Sequence, residues 1–177
     1  YLASRQPTWL NTGCLQAAYA GYVLPGPVAA LAVLVLFLKV LPFFYGTVFV
    51  LIVAYVLHYL PAGLQSLEPS IQQVTPNLEE VARTLGLTVR ETWRRVTLPL
   101  IRNGVIVAWV LVFLQTMKEL PATLLLAPIG LETLTTRIWG SFEGGFLADT
   151  GSASIVLVAV SGLLTWLLVL RRGDRLA

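Results

Sequence analysis

Two adjacent charged residues, Lys118 and Glu119, stand at the end of an apolar run and are the residues best placed to meet a charged substrate. A charge at membrane depth usually faces a cavity or a pathway, because hydrocarbon does not solvate it. Neighbouring helix positions do not face each other, so a simple mutual ion pair is not expected. Two interpretations stay open: the residues line a pathway, or they mark the outer membrane interface.

Most other chemistry is excluded by the residue inventory. Cys14 is the only cysteine and His58 the only histidine, so an intrachain disulfide, a thiolate metal cluster and a catalytic triad are all ruled out. The two lysines, Lys39 and Lys118, both follow apolar residues, so the glycine-rich nucleotide loop ending in Gly-Lys is missing. We expect a packed or interfacial helix role for His58. The chain is predicted not to be an enzyme by itself and to carry no cofactor and no metal.

Composition places these residues in a membrane protein. The chain has 177 residues, 56% of them hydrophobic and 12% charged, whereas a soluble domain carries about a quarter charged residues. About 20 apolar residues cross about 30 Å of hydrocarbon as a helix. We therefore predict an all-α polytopic membrane protein with about four transmembrane helices, in which the short third run ends in a helix broken or kinked near Pro121. The predicted spans are about 22–41, about 44–64, the apolar run 103–117 and about 152–170.

The basic residues predict how the chain crosses the membrane. Placing both termini and the loop between the second and third spans in the cytoplasm puts nine of the 12 Lys and Arg residues there, as the positive-inside tendency favours. These nine are Arg5, Arg83, Arg90, Arg94, Arg95, Arg102, Arg171, Arg172 and Arg175. The cytoplasmic loop covers about 66–100 and the outer loop about 127–150, which has no metal-cage spacing. The basic excess indicates topology and not nucleic-acid binding.

The cytoplasmic loop is predicted to hold two short helices with well-marked ends. Thr75 is a favourable N-cap, and Pro76 suits the first helical position. Gly86 stands where a left-handed residue ends a helix. Thr88 and Glu91 have the T-x-x-E spacing of a capping box, which opens the second helix. Pro99 either ends this second helix or leads it into the third span.

The first of these helices is amphipathic. Its apolar face, at the spacing i, i+3, i+4 and i+7, consists of Leu78, Val81, Ala82 and Leu85. Its polar side consists of Glu79, Glu80, Arg83 and Thr84. Periodicity alone leaves three partners open for the apolar face: the membrane surface, the chain's own helices, or a groove on another protein. A stiff, capped helix pair would serve as a lever between two proteins.

The loop resembles the EAA loop of permease subunits in binding-protein-dependent ATP-binding cassette importers, whose pattern is E-A-A-x3-G-x9-I-x-L-P. Val81 and Val96 replace an alanine and an isoleucine of that pattern. The identical positions are Glu80, Ala82, Gly86, Leu98 and Pro99. The segments 24–26, 118–124, 131–134 and 137–139 look like the ferric-iron branch, and the resemblance covers essentially the whole chain as one partial transmembrane domain, 1–177. We expect it to be the C-terminal half of a longer chain.

The resemblance implies that this loop is a coupling helix that docks into a cytoplasmic ATPase dimer, where ATP and Mg are bound. The residues implied in coupling are Glu79, Glu80, Ala82, Arg83, Leu85, Gly86, Leu98 and Pro99. The other partners implied are a periplasmic substrate-binding protein, a second permease half and membrane lipid, and the location is the bacterial inner membrane. Permeases for thiamine, polyamine, sulfate or phosphonate share the pattern. A secondary transporter would need midplane charges that three spans lack, and a scaffold would not need the spaced motif.

Overall fold

The computed structural model describes Trp9, Gly13, Gln16, Tyr19 and residues 23–173, the last four by their backbone only. Within these residues the secondary structure is helical, with no strand, and the all-α prediction is confirmed. The predicted cytoplasmic termini, including Arg5, Cys14 and Arg175, lie outside the described residues. The helices are α1 Gly26–Val40, α2 Val48–Gln72, α3 Pro76–Thr84, α4 Val89–Thr92, α5 Leu98–Met117, α6 Pro121–Leu126, α7 Leu134–Glu143 and α8 Leu147–Gly173.

Three helical stretches in the described part of the chain are long and apolar enough to cross a membrane. They are Val48–Gln72, Val89–Met117 and Leu147–Val169, of 25, 29 and 23 residues. The first predicted span is shorter than expected, because α1 has only 15 residues, about 22 Å of helical rise. Prolines explain both of its ends: Pro25 and Pro27 flank its first residue, and Pro42 opens the 3₁₀ turn that follows it.

The third predicted span differs most from expectation. α4 is not a separate short helix, because it continues through a π-helical turn, Trp93–Thr97, into α5. The N–H of Leu98 bonds the carbonyl of Trp93, five residues back. Pro99 follows this turn closely and has no N–H to donate to the carbonyl four residues earlier. The helix continues past the proline because the wider hydrogen bonding of the π-helical turn accommodates the missing donor. The predicted 15-residue run is thus part of a 29-residue helix that is long enough to cross.

The predicted break at the other end of this helix is confirmed. α5 ends at Met117, and α6 begins with Pro121 after three non-helical or turn residues. The N–H groups of Lys118 and Glu119 bond carbonyls three residues back, which tightens the last turn. α7 then lies inside the predicted outer loop and packs on α8.

The chain divides into two compact units. One comprises Tyr1–Val23 and Tyr59–Val112, and the other comprises Leu24–His58 and Phe113–Ala177. In the second unit α6 is a buried piece of the core, because α1, α2 and α6 bury small and branched side chains against one another. These core residues are Ala30, Val33, Phe37, Val50, Leu51, Ala54, Ala122 and Leu126.

The close approach of α2 and α5 in the first unit predicts an overpacked variant. A Cβ at Gly104 would clash with both Oγ and Cβ of Ser70. We expect Gly104→Ala to cost about 1–3 kcal/mol of stability, because the helices must separate. Thermal unfolding in detergent measures this. Adding Ser70→Gly should recover part of the loss, and Gly162→Ala, which has no atom within 4 Å, is the control. Equal stability of both alanine variants would contradict the packing.

Candidate functional site

The first helix of the loop between α2 and α5 is α3, and both of its ends are well defined. Thr75 is the N-cap residue and Pro76 occupies the first turn, as predicted, although the Thr75 side chain makes no cap hydrogen bond. Thr75 keeps the extended backbone of an N-cap, and Val74 beside it is buried. The start of α3 therefore depends on the proline and on packing of Val74, and not on a threonine hydroxyl.

The end of α3 is a Schellman turn centred on Gly86. The N–H of Gly86 bonds the carbonyl of Arg83 at 2.9 Å, and the N–H of Leu87 bonds that of Ala82 at 3.2 Å. Gly86 has φ +89°, which confirms the predicted left-handed conformation. A Cβ at Gly86 would meet nothing within 4 Å. The constraint on this position is therefore conformational and not steric.

The capping box of α4 is confirmed. The N–H of Thr88 donates to Glu91 Oε2 at 3.0 Å, and the N–H of Glu91 donates to Thr88 Oγ1 at 3.3 Å. This box opens the 29-residue helix and not an independent short one. The loop is thus joined without a break to a helix that is long and apolar enough to cross a membrane.

Glu79 was placed on the polar side of α3, but the structure buries it. Its side chain is only 8% exposed, and Thr97, which is 1% exposed, donates its hydroxyl to Glu79 Oε1 at 3.0 Å. Glu79 shares its helix face with Ala82, three residues on and also buried. That spacing was a signal for the burial of Glu79, but nothing in the sequence identified Thr97 or the buried Thr92 as its neighbours.

The outward side of the loop is apolar. Leu85 is 79% exposed, so the chain's own helices do not cover this part of the apolar face. We name this surface the docking face, which consists of Leu78, Val81, Leu85 and Val89, all exposed. A groove of about 540 Å³ beside it is lined by Glu79, Arg83, Val89, Arg90, Thr92 and Trp93. Of the other predicted coupling residues, Glu80, Arg83, Gly86, Leu98 and Pro99 are exposed.

A second polar cluster lies at the break between α5 and α6. Glu119 Oε1 accepts the N–H of Ala122 at 3.0 Å, and the Glu119 carbonyl accepts hydroxyls from Thr123 at 2.8 Å and Thr135 at 3.1 Å. The Tyr55 hydroxyl bonds Thr123 Oγ1. Because the Thr123 proton is already given to Glu119, Tyr55 is the donor. The network joins α2, the break and the first turn of α7.

Gly26 lies beside this network. A Cβ at Gly26 would lie 3.6 Å from Glu119 Oε1 and 3.7 Å from His58 Nε2. We name Gly26, His58 and Glu119 the break site. Lys118 belongs elsewhere, since it is exposed and lines a groove along α8 with Ser161 and Thr165 among its walls. The two adjacent charged residues therefore lie in different surroundings.

A metal cage is not formed by the described part of the chain, where no group of three or more His, Cys, Asp and Glu residues converges. The acidic residues of the outer loop, Glu132, Glu143 and Asp149, are exposed. The chemistry available is therefore of two kinds. The loop offers an exposed apolar surface, and the break offers one carboxylate and one imidazole.

The helices and the rigid loop define an all-α multi-span membrane protein, and comparison with known proteins identifies its family. The chain belongs to the binding-protein-dependent transport system inner membrane component family, whose profile matches residues 1–172. It is 34% identical over 168 residues to the Fe(3+)-transport system permease protein FbpB 2 of Haemophilus influenzae, covering 95% of this chain and 33% of that one.

Two further relatives carry other substrates in their names. A putative 2-aminoethylphosphonate transport system permease protein, PhnV of Salmonella paratyphi A, is 30% identical over 119 residues, 67% of this chain and 45% of that one. A probable molybdenum ABC transporter permease of Haloferax volcanii is 36% identical over 88 residues, 50% of this chain and 32% of that one. The chain thus spans between a third and a half of the length of these relatives.

Proposed function

We propose that this chain is the membrane-spanning permease part of an ATP-binding cassette importer in the bacterial inner membrane. The observation that carries the proposal is the docking face, whose apolar side chains are held exposed on a helix with a rigid end at Gly86. A periplasmic binding protein delivers the substrate, and a separate cytoplasmic ATPase dimer binds ATP and Mg²⁺. A second permease half, fused or separate, completes the transporter.

The docking face has the composition of a helix-in-groove contact. Leu78, Val81 and Leu85 recur on one side of α3, and all three are exposed. Burying a leucine or valine side chain stabilises a complex by about 1.5–3 kcal/mol. Because the loop is already ordered by its own hydrogen bonds, little conformational entropy is lost when it docks. A groove on the ATPase is therefore a favourable partner.

The competing partners for this face are less favourable. The chain's own helices leave Leu85 79% exposed, so they do not cover the face. Binding of the face to the membrane surface is the alternative outcome of the experiment described below. The predicted sidedness, with the loop 66–100 and both termini in the cytoplasm, is supported by the nine basic residues that it places inside.

Continuity of the helix supplies the mechanism. When two ATPase subunits close on ATP, each pulls the loop that it holds. The helix from Val89 to Met117 has no break, so movement at its capped start tilts the whole span. Alternation between inward-open and outward-open states follows from this rocking of the spans.

Ferric iron is the substrate that we propose first. The support is the likeness to the Fe(3+)-transport permease, which covers 95% of this chain, against 67% for the phosphonate permease. Uptake of Fe³⁺, 2-aminoethylphosphonate and molybdate into the same proteoliposomes distinguishes these cargoes. Accumulation of an oxyanion in place of Fe³⁺ would overturn the iron proposal and leave the importer proposal standing.

A charged residue in the docking face tests the contact with the ATPase. We expect Leu85→Asp to reduce co-purification of the ATPase by at least about tenfold, since a loss of about 1.4 kcal/mol gives that factor. The matched control is Gln73→Asp, which adds the same charge at an exposed position outside the face. If the Leu85→Asp variant still binds the ATPase but its loop is no longer protected by lipid, the docking face contacts the membrane surface and not the ATPase.

A further inference from the structure

Lys118 lines a groove that runs along the second half of a membrane span. This groove, which we name the Lys118 groove, follows α8 from Leu157 to Val169 within the same compact unit. The span of α8, Leu147–Val169, has 23 residues, so Leu157 stands about 15 Å beyond its first residue. A bilayer has about 30 Å of hydrocarbon, so the groove begins near the middle of the membrane. This position favours the pathway interpretation of Lys118 over the outer interface.

The ammonium group of Lys118 has no acidic partner in the part of the chain that the structure describes. The side chain is exposed, and none of the described carboxylates forms an ion pair with it. Hydrocarbon does not solvate a charge, so an ionisable group at membrane depth faces water or a group of opposite charge. The complete transporter must therefore supply water, an anion or a carboxylate at Lys118.

The other walls of the Lys118 groove are apolar or carry hydroxyl groups. The groove has a volume of about 540 Å³, within the range of small-molecule sites, and no acidic residue is among the described residues that line it. Ser161 and Thr165 donate their hydroxyl protons to helix carbonyls at 2.7 and 2.8 Å, so their oxygens are left as acceptors. The Lys118 ammonium is thus the charged group of the groove, and its sign favours anions.

We propose that the Lys118 groove is an anion site of the transport pathway, where negatively charged oxygens of the cargo meet the Lys118 ammonium. A lysine ammonium is a compact, strongly hydrated point charge with three donors, which suits transient contact with an oxyanion. Lys118 also stands in the break between α5 and α6, and broken membrane helices border the substrate sites of many transporters. This inference rests on the proposed function and names the charge of its cargo.

Two sources of anionic oxygen fit the same site. The cargo is either an oxyanion by itself or Fe³⁺ that is surrounded by the oxygens of an anionic complex. Bare Fe³⁺ fits neither case, because the Lys118 ammonium repels a cation. The site therefore requires that any iron passes Lys118 with a net negative charge.

Removing the charge of Lys118 is the sharpest test, because anionic and cationic cargoes respond in opposite directions. In the complete transporter, reconstituted with its ATPase, we expect Lys118→Met to lower uptake about tenfold, a change equivalent to about 1.4 kcal/mol. Lys118→Arg keeps the charge and should keep most of the uptake. Unchanged or faster uptake by Lys118→Met would overturn the anion site, since a cation would be repelled less by that variant.

Filling the groove tests its role without changing any charge. Gly162 lines the groove on α8, and a Cβ there would meet no atom within 4 Å. Leucine is a better helix former than glycine, so Gly162→Leu does not weaken α8. We expect uptake to fall severalfold in this variant. Gly151→Leu makes the same change on the same helix outside the groove, also with no atom within 4 Å, and equal uptake by the two variants would contradict the pathway.

A carboxylate of the second permease half is the competing partner for Lys118. Loss of such an ion pair would loosen the contact between the halves, so the melting temperature of the complete transporter would fall in Lys118→Met. The anion site predicts an unchanged melting temperature, because the Lys118 side chain is exposed and packs no core. A lowered melting temperature with normal anion binding would assign the groove to the contact between the halves.

Direct binding distinguishes failure of the site from failure of the importer. Equilibrium dialysis of the complete transporter without ATP, against molybdate, 2-aminoethylphosphonate and ferric citrate in separate arms, also shows which source of anionic oxygen is bound. We expect Lys118→Met to retain at least about tenfold less of that anion than wild type. Equal retention by both would refute the site even if uptake is ATP-driven. Absence of any ATPase partner, with this binding difference intact, would refute the importer and keep the anion site.

Discussion

Gly86→Val should abolish ATP-driven uptake while leaving the protein in the membrane at normal abundance. Gly86 holds φ +89° in the turn that ends α3, and a branched side chain in the left-handed region costs about 1–2 kcal/mol or more. The Schellman hydrogen bonds to Ala82 and Arg83 would be lost as the backbone relaxes. Leu85, next to the turn, would then no longer present its side chain to the ATPase. The measurement is uptake per ATP hydrolysed in proteoliposomes.

The control for this variant is Gly86→Asn, because asparagine tolerates the left-handed conformation far better than valine does. A Cβ at Gly86 meets no atom within 4 Å, so the two variants differ in backbone strain and not in crowding. We expect Gly86→Asn to keep most of the uptake. If valine and asparagine behave alike, then the left-handed turn is not what couples the two proteins.

Thr97→Val is the second change for which we expect a large effect. Thr97 is 1% exposed, and valine fills the same volume without the hydroxyl that Glu79 accepts at 3.0 Å. A hydrogen bond to a charged group contributes about 1.5–3 kcal/mol. Its loss should loosen α3 from the π-helical turn, so that the ATPase still binds but its stroke is no longer transmitted. Co-purification stays normal, and uptake per ATP falls severalfold.

Thr97→Ser provides the rescue, since serine restores the hydroxyl in nearly the same volume. The comparison separates this contact from docking, which Leu85→Asp removes. A Thr97→Val transporter that couples uptake to hydrolysis as well as wild type would show that the Glu79–Thr97 contact only stabilises the loop. Loss of ATPase binding in Thr97→Val would place Glu79 in the docking surface itself.

Local signals predicted much of the loop correctly because their partners lie within a few residues. The left-handed turn at Gly86, the capping box of Thr88 and Glu91 and the break before Pro121 are each satisfied by neighbouring backbone groups. Thr75 was the exception. Its backbone has the N-cap conformation, but its hydroxyl does not make the cap bond.

Helix lengths were less predictable than helix existence. Charge-free runs indicated which helices could cross a membrane, but they placed the start of the third one too late, since that helix begins at Val89 and not at Asn103. Polar residues such as Arg94 and Arg95 obscured its start, and the π-helical turn let it continue past Pro99. In α1 the opposite occurred: the helix is shorter than the apolar run predicted, because prolines limit its ends.

The sequence by itself determined the all-α membrane class, the capped loop and the family likeness, because these depend on composition and on spacings within about twenty residues. Only the tertiary structure decided which face of α3 is buried, that Glu79 meets Thr97, and that Gly26, His58 and Glu119 converge on one point. The physical reason is separation along the chain. Contacts between residues 18 to 93 positions apart depend on how whole helices pack, and no local propensity encodes that packing.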